Sequence, residues 1–215
     1  MSFFLHERRY RDLSPALDRL ITICGAGALG ANLAETLARM GLRQLRVVDR
    51  DRVEAHNLST QPWTQQDVGA PKARVLATAL YRAVGARVDP RHVELTPANA
   101  ASLLAGSTLV VDAFDNLPAR RAVADAALAL GVPCLHLALA ATSDYGCGLW
   151  DDAYRTGADL SAPATPAPDT CDYPLTRPLA LLVAAAGAEV LAAHLHDGSR
   201  RSFEVTLRDL RLGPA

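Results

Sequence analysis

The chain is almost without lysine: of its 22 Lys and Arg residues, 21 are arginine and one, Lys72, is lysine. It also lacks excess charge of either sign, since 23 Asp and Glu bring the formal charge to -1 at pH 7. With both signs interspersed, no bulk attraction draws it to nucleic acid or an anionic membrane, and neither is expected as a partner. No uninterrupted apolar run reaches the roughly 18 residues of a membrane span. The arginine-rich start, 1–12, has no apolar signal-peptide core. A cytoplasmic protein is the expectation. Cysteine is scarce and scattered: Cys24, Cys134, Cys147 and Cys171 form no C-x-x-C pair. That argues against a disulfide framework and against a structural zinc held by cysteines, so no zinc is expected. No internal repeat is visible.

Half of the residues are hydrophobic (50%), which excludes a mostly disordered chain, and 215 residues suit one domain with a small extension. Residues 20–24 read as a buried strand, 28–40 as a helix with Leu33, Leu37 and Met40 on one face, and 45–49 as a second strand. This is a βαβ unit and implies a parallel sheet. The alternation continues with helix 71–84, extended 87–93, strand 108–112, helix 118–130 and strands 133–140 and 145–150. A Pro-rich segment, 151–178, then leads to an apolar helix at 179–195 and an alternating strand at 202–207. The expected fold is α/β: a Rossmann-like, mostly parallel sheet with helices on both faces and a mixed C-terminal edge. Its parts are an N-terminal arm (1–20), the Rossmann-like domain (21–150), a crossover loop (151–178) and a C-terminal helix and strand (179–215) completing the same domain.

Gly25-Ala-Gly27-Ala-Leu-Gly30 lies between the first strand and its helix. There Gly25 permits a tight turn, Gly27 lets a phosphate approach the backbone, and Gly30 lets the helix pack on the sheet. The helix N-terminus offers free N–H groups to an anion. Asp49 ends the second strand, 19 residues beyond Gly30, where a carboxylate can bind ribose hydroxyls. These features alone leave NAD and ATP open.

The run after Asp49 narrows the choice. It reads Asp51-Arg-Val-Glu-Ala-His-Asn57-Leu-Ser-Thr60-Gln61, then Gly69-Ala-Pro-Lys72, and later Asp112-Ala-Phe-Asp115-Asn116 with Arg120 following. This series resembles the ThiF/MoeB/HesA family, prokaryotic relatives of ubiquitin-activating enzymes, whose pattern is a glycine loop, a strand-end Asp, D-x-V-x-x-x-N-L-x-R-Q, G-x-x-K and D-x-x-D-N. The resemblance implies ATP-dependent adenylation of the C-terminal carboxylate of a small ubiquitin-like or sulfur-carrier protein ending in glycine, with a conjugating enzyme or sulfur pathway beyond. It implies roles as well. Asp49 would hold the ribose, Asn57 and Gln61 the phosphates, and Lys72 the phosphate charge. Asp115 would hold Mg²⁺, with Asp51 and Asn116 completing the nucleotide set. A carboxylate attacking the α-phosphate needs charge stabilised on the phosphoryl oxygens and on the leaving pyrophosphate, and a lysine and a carboxylate-held hard cation do that. Two plainer roles stay open: Lys72 as a solvated lysine at a helix start, and Asp115 as a helix N-cap.

Two departures and one further match follow. The family arginine that would reach the γ-phosphate is here Thr60. An arginine of the N-terminal run Arg8-Arg9-Tyr10-Arg11, taken as Arg11, could replace it by entering the neighbour's site in a homodimer. Alternatively, the chain is a non-catalytic nucleotide-binding half of a heterodimer. The C-x-x-C pairs of many relatives are missing. Cys171, ahead of the apolar helix, matches the place where relatives carry a thioester- or persulfide-forming cysteine; Arg177 could lower its pKa, opposed by Asp169 and Asp172. Cys24, Cys134 and Cys147 read as packing residues.

Overall fold

The computed structural model describes residues 4–152, 154 and 174–215; Cys171 and most of the crossover segment lie outside them. Eight strands form one sheet in the order β3-β2-β1-β4-β5-β6-β7-β8. β1 (Ile21–Cys24), β2 (Gln44–Val48), β3 (Arg87–Arg91), β4 (Leu109–Asp112) and β5 (Cys134–Leu139) run parallel. β6 (Tyr145–Trp150), β7 (Phe203–Thr206) and β8 (Arg211–Pro214) continue it antiparallel. The mixed C-terminal edge is therefore as expected.

β1 and β4 are buried at every position because helices cover both faces. Alternate residues sort onto those faces. Ile21, Ile23, Leu45, Val47, Leu109, Val111, Leu135 and Leu137 share one core with helices α2 (Ala28–Arg39), α3 (Lys72–Val84) and α6 (Arg177–Asp197). Cys24, Val48, Val110 and Cys134 pack on the other side with α4 (Ala100–Leu104) and α5 (Leu117–Leu130). Helices α3 and α5 stop where a glycine takes up a left-handed conformation its neighbours resist, Gly85 (φ 67°) after α3 and Gly131 (φ 64°) after α5. α6 is apolar nearly all round and so is a core helix. Its length and composition would suffice for a membrane span, at 21 residues and mean hydropathy 1.7, but 67% of the apolar window is buried against the sheet and α2. It begins at Arg177 rather than 179, with the Thr176 hydroxyl accepting from Leu179 N.

The segment before β1 is more structured than an arm. α1 (Leu5–Tyr10) and a 3₁₀ turn (Ser14–Ala16) precede β1, and Leu13 and Ala16 enter the main core. Between β1 and β4 the strand order reverses, which opens a crevice beyond the strands' C-terminal ends.

Candidate nucleotide site

The glycine loop occupies that crevice. Gly25 (φ +100°) is pressed against β4: a Cβ there would stand 2.9 Å from the Ala113 carbonyl oxygen. At Gly30 a Cβ would lie 1.9 Å from the Gly25 carbonyl oxygen, so strand, turn and helix can close only on glycine. At Gly27, the N-cap of α2, nothing stands within 4 Å of a Cβ. Its lack of a side chain is explained by open space into which a ligand can come.

Asp49, 5% exposed, ties this loop to the next segment. One carboxylate oxygen accepts from Ala26 N at 2.6 Å, the other from Asp51 N at 2.6 Å. Burial pushes its carboxyl above the usual carboxylate range, against these two amide bonds and Lys72. A carboxylate has about four acceptor positions, so room remains for ribose hydroxyls.

Residues 51–53 clip onto 69–72 through Lys72 N to Asp51 O (3.0 Å), Val53 N to Ala70 O (2.9 Å) and Gly69 N to Val53 O (2.8 Å). Lys72 is thereby held at the N-terminus of α3 with its side chain 9% exposed, and Nζ is 3.3 Å from Asp51 Oδ2. It is not the solvated lysine that remained open. A cation at this end of a helix opposes the macrodipole. Among the described residues its only ion pair is with Asp51, which is 54% exposed and correspondingly screened by water, and the Asp49 carboxylate acts on it from farther off. The cation is under-compensated, and a bound anion would balance both it and the helix end.

Asn57 and Gln61 are buried and engaged in shaping their own segment. Asn57 Oδ1 accepts from Glu54 N (3.0 Å) in a capping box, and Gln61 Oε1 accepts from Trp63 Nε1 (2.6 Å). Each keeps an amide NH₂ that has no protein partner among the described residues. Asn32 of α2 donates to Thr60 O at 3.0 Å and anchors this stretch over the glycine loop's helix. Arg177 Nη1 reaches Gln61 O at 3.4 Å, placing a guanidinium next to Thr60.

Beyond β4 the two aspartates of D-x-x-D-N divide. Asp112 is fully buried, bonded to His136 Nδ1 (2.9 Å) and paired with Arg120 (3.5 Å). Asp115 is exposed and has no protein partner among the described residues, which leaves it able to hold a hard cation. Asn116, not Asp115, caps α5 by accepting from Ala119 N at 3.0 Å. Arg120, without a role at the level of sequence, is 8% exposed and bonds Phe114 O (2.6 Å), Leu137 O (2.9 Å) and Tyr154 Oη (3.0 Å). It fixes the loop that carries Asp115. The signal for it was an arginine four residues beyond Asn116, one turn into the helix.

Arg11 is elsewhere. It pairs with Glu189 of α6 at 2.5 Å and lines a cavity of about 410 Å³ with Gly41, Arg43, Gly85 and Arg87. Those residues lie at the starts of β2 and β3, the opposite edge of the sheet from the glycine loop. Arg11 therefore does not join the site of its own chain. Burial holds the Cys24 and Cys134 thiols well above the usual thiol range, in keeping with a packing role for Cys24.

Fold and crevice together define a Rossmann-like α/β domain with a glycine loop and a buried lysine at the crevice. The chain belongs to the ThiF family, whose pattern matches residues 7–189. It is 43% identical over 115 residues to the sulfur carrier protein adenylyltransferase of Thermus thermophilus, covering 53% of this chain and 42% of that protein. It is 38% identical over 126 residues to the SAMP-activating enzyme E1 of Haloferax volcanii, covering 57% and 46%. The chain thus spans less than half the length of these relatives. Among solved structures, E. coli tRNA N6-threonylcarbamoyladenosine dehydratase, TcdA, in complex with AMP shares the fold with a TM-score of 0.75 at 19% identity, covering 89% of this chain and 93% of that one. E. coli MccB with AMPCPP and MccA gives a TM-score of 0.73 at 15% identity, covering 94% and 65%.

Two glycine variants separate packing from ligand approach. Gly30→Ala must force the turn open and is expected to cost about 3 kcal/mol or more, a drop of roughly 6–12 °C in Tm for a chain of this size. Gly27→Ala should melt close to the parent yet bind MgATP at least about tenfold more weakly, a loss of about 1.4 kcal/mol. Thermal unfolding and calorimetric titration check the pair; equal behaviour of the two variants would contradict the assignment of the loop.

Proposed function

We propose that the chain adenylates the C-terminal carboxylate of a small ubiquitin-like or sulfur-carrier protein, using MgATP and releasing pyrophosphate. The observation that carries this reading is Lys72, a buried and under-compensated cation at a helix N-terminus beside a glycine loop. Family membership and the names of the matched relatives support it. In the reaction the carrier's carboxylate oxygen attacks the α-phosphorus and the bond to the bridging oxygen of pyrophosphate breaks. Asp49 receives the ribose, the α2 N-terminus and Lys72 face the phosphates, and Asp115 would hold Mg²⁺, which would neutralise phosphate oxygens. The unpaired amide groups of Asn57 and Gln61 complete the phosphate contacts.

The next step assigned to the chain is thioester formation. The Cys171 thiolate attacks the acyl adenylate carbonyl and AMP departs, leaving the carrier on the enzyme for a conjugating enzyme or a sulfur pathway. A cytoplasmic homodimer is the accompanying proposal. Where the family pattern has arginine and this chain has Thr60, Arg177 is the better substitute than Arg11. It already touches the backbone of Gln61, whereas Arg11 would have to leave Glu189 and enter a second copy. The competing reading, a non-catalytic half of a heterodimer, is favoured by Thr60 alone. It requires that the purified chain show no ATP–pyrophosphate exchange even with its carrier.

Lys72→Ala should lower ATP–pyrophosphate exchange by about two orders of magnitude, the scale of losing one preorganised charge-stabilising group; unchanged exchange would remove the assignment. Cys171→Ala should retain exchange while losing any covalent, thiol-sensitive carrier adduct, as read by non-reducing electrophoresis. Arg177→Ala should raise the KM for ATP several-fold with little change in Tm, since the side chain is exposed. A matching effect from Arg11→Ala, and none from Arg177→Ala, would return the role to a neighbouring copy.

A further inference from the structure

Away from the glycine loop, three side chains of different chemistry converge where β5 begins and β6 ends. Cys134 and His136 are two residues apart on β5 and therefore project from the same face. Asp151 follows β6, whose Trp150 is in register with Leu135 between them. One ligand atom from each lies within 4.8 Å of the other two. Asp151 is drawn in by the backbone: its two oxygens accept from Cys134 N at 3.0 and 2.9 Å.

The histidine is set as a ligand is set. Its Nδ1 is bonded at 2.9 Å to Asp112, a carboxylate that is itself fully buried. This is the outer partner that fixes ring orientation and turns the other nitrogen to a metal. Nε2 stands 3.6 Å from Asp151 Oδ1, too far for a good hydrogen bond. It is close to the edge of a tetrahedral zinc site, which bond lengths of 2.0–2.2 Å put at about 3.3–3.5 Å. Tyr154 stacks flat on the imidazole, ring centres 3.6 Å apart, and closes one side. Cys134 and His136 are 0% and 2% exposed while the Asp151 side chain is 35% exposed, so one corner alone opens to solvent.

We propose that Cys134, His136 and Asp151 form a zinc site with water as the fourth ligand. A sulfur, nitrogen and oxygen donor set suits Zn²⁺ and disfavours Mg²⁺ and Ca²⁺. The charges close as well. With the thiol ionised, Asp112, Asp151 and Cys134 carry three negative charges against the one positive charge of Arg120, and a dication cancels the remainder. Binding displaces the thiol proton to solvent and forms the sulfur–metal bond, with no redox change. The expectation of no zinc rested on cysteine spacing, and that test does not see a Cys-x-His pair completed by a carboxylate 15 residues on. The metal would join the start of β5 to the end of β6, where the chain enters the crossover that carries Cys171. The proposal does not rest on the adenylation reading, and its failure would leave that reading untouched.

The test is Co²⁺ titration of the metal-depleted full chain. Uptake of one equivalent is expected, with tetrahedral d–d bands and a thiolate-to-cobalt charge-transfer band, both removed by excess Zn²⁺. Cys134→Ser should abolish the charge-transfer band, and His136→Ala should weaken binding at least about tenfold. Cys24→Ser, which alters a buried cysteine of the same core, should keep the full spectrum and so guards against general unfolding. Absence of stoichiometric uptake, or a charge-transfer band that survives in Cys134→Ser, would overturn the proposal.

Discussion

The site depends on one buried carboxylate. Asp49 holds the amide of Ala26 on one side and that of Asp51 on the other, both at 2.6 Å. It thereby couples the turn after β1 to the segment that carries Lys72. From Asp51 the connection is direct: its carbonyl receives Lys72 N, and its carboxylate meets Lys72 Nζ. A strand-end residue expected to bind ribose therefore has a second, structural task. The glycine turn and Lys72 are positioned by the same side chain. Burial raises its pKa, and the two amide bonds and Lys72 act in the opposite direction.

The scarcity of lysine acquires a physical sense here. Arginine serves at 21 of 22 basic positions, including the buried Arg120 and the partly buried Arg11 and Arg46. In those places a planar fork meets several acceptors at once: Arg46 bonds Asp89, Leu103 O and Ala105 O together. Lys72 makes one weak pair, at 3.3 Å. A compact charge on a flexible stem, weakly engaged by protein, suits the phosphate-binding role proposed for it.

The sheet was legible because its central strands are continuous apolar runs bounded by glycine and proline, and because the glycine loop fixes the first crossover. The pieces that escaped are short or depend on distant contacts. α4 has five residues, too few for a helical period to declare itself. β8 exposes Leu212 and ends on Pro214, so it lacks the alternation of a half-buried strand. α1 was masked by its arginines, and what secures this region is Leu13, Ala16 and the pairing of Arg11 with a residue 178 positions away. At the site, Asp49 was legible from its spacing after the glycine loop, and Asp51 and Lys72 only through the resemblance to the ThiF/MoeB/HesA pattern. The linkage of Asp112 to His136 and Arg120 was not legible, since one partner lies on the next strand and the other on a helix.

That linkage gives the two aspartates, Asp112 and Asp115, different tasks. Asp112 is the last residue of β4, and its side chain turns inward to meet Arg120 and His136. Three residues on, the chain has left the sheet and Asp115 faces solvent just before the Asn116 cap. A carboxylate in the position of Asp112 is consumed by its buried partners and has little left for a cation. A carboxylate in the position of Asp115 is available, but only if the loop beneath it is held still. Arg120 does that holding, through Phe114 O and Leu137 O, and Asp112 offsets the cost of burying the guanidinium. In the proposed reaction the inner aspartate acts only through the outer one, and the distance between them in sequence is the length of chain needed to pass from core to rim.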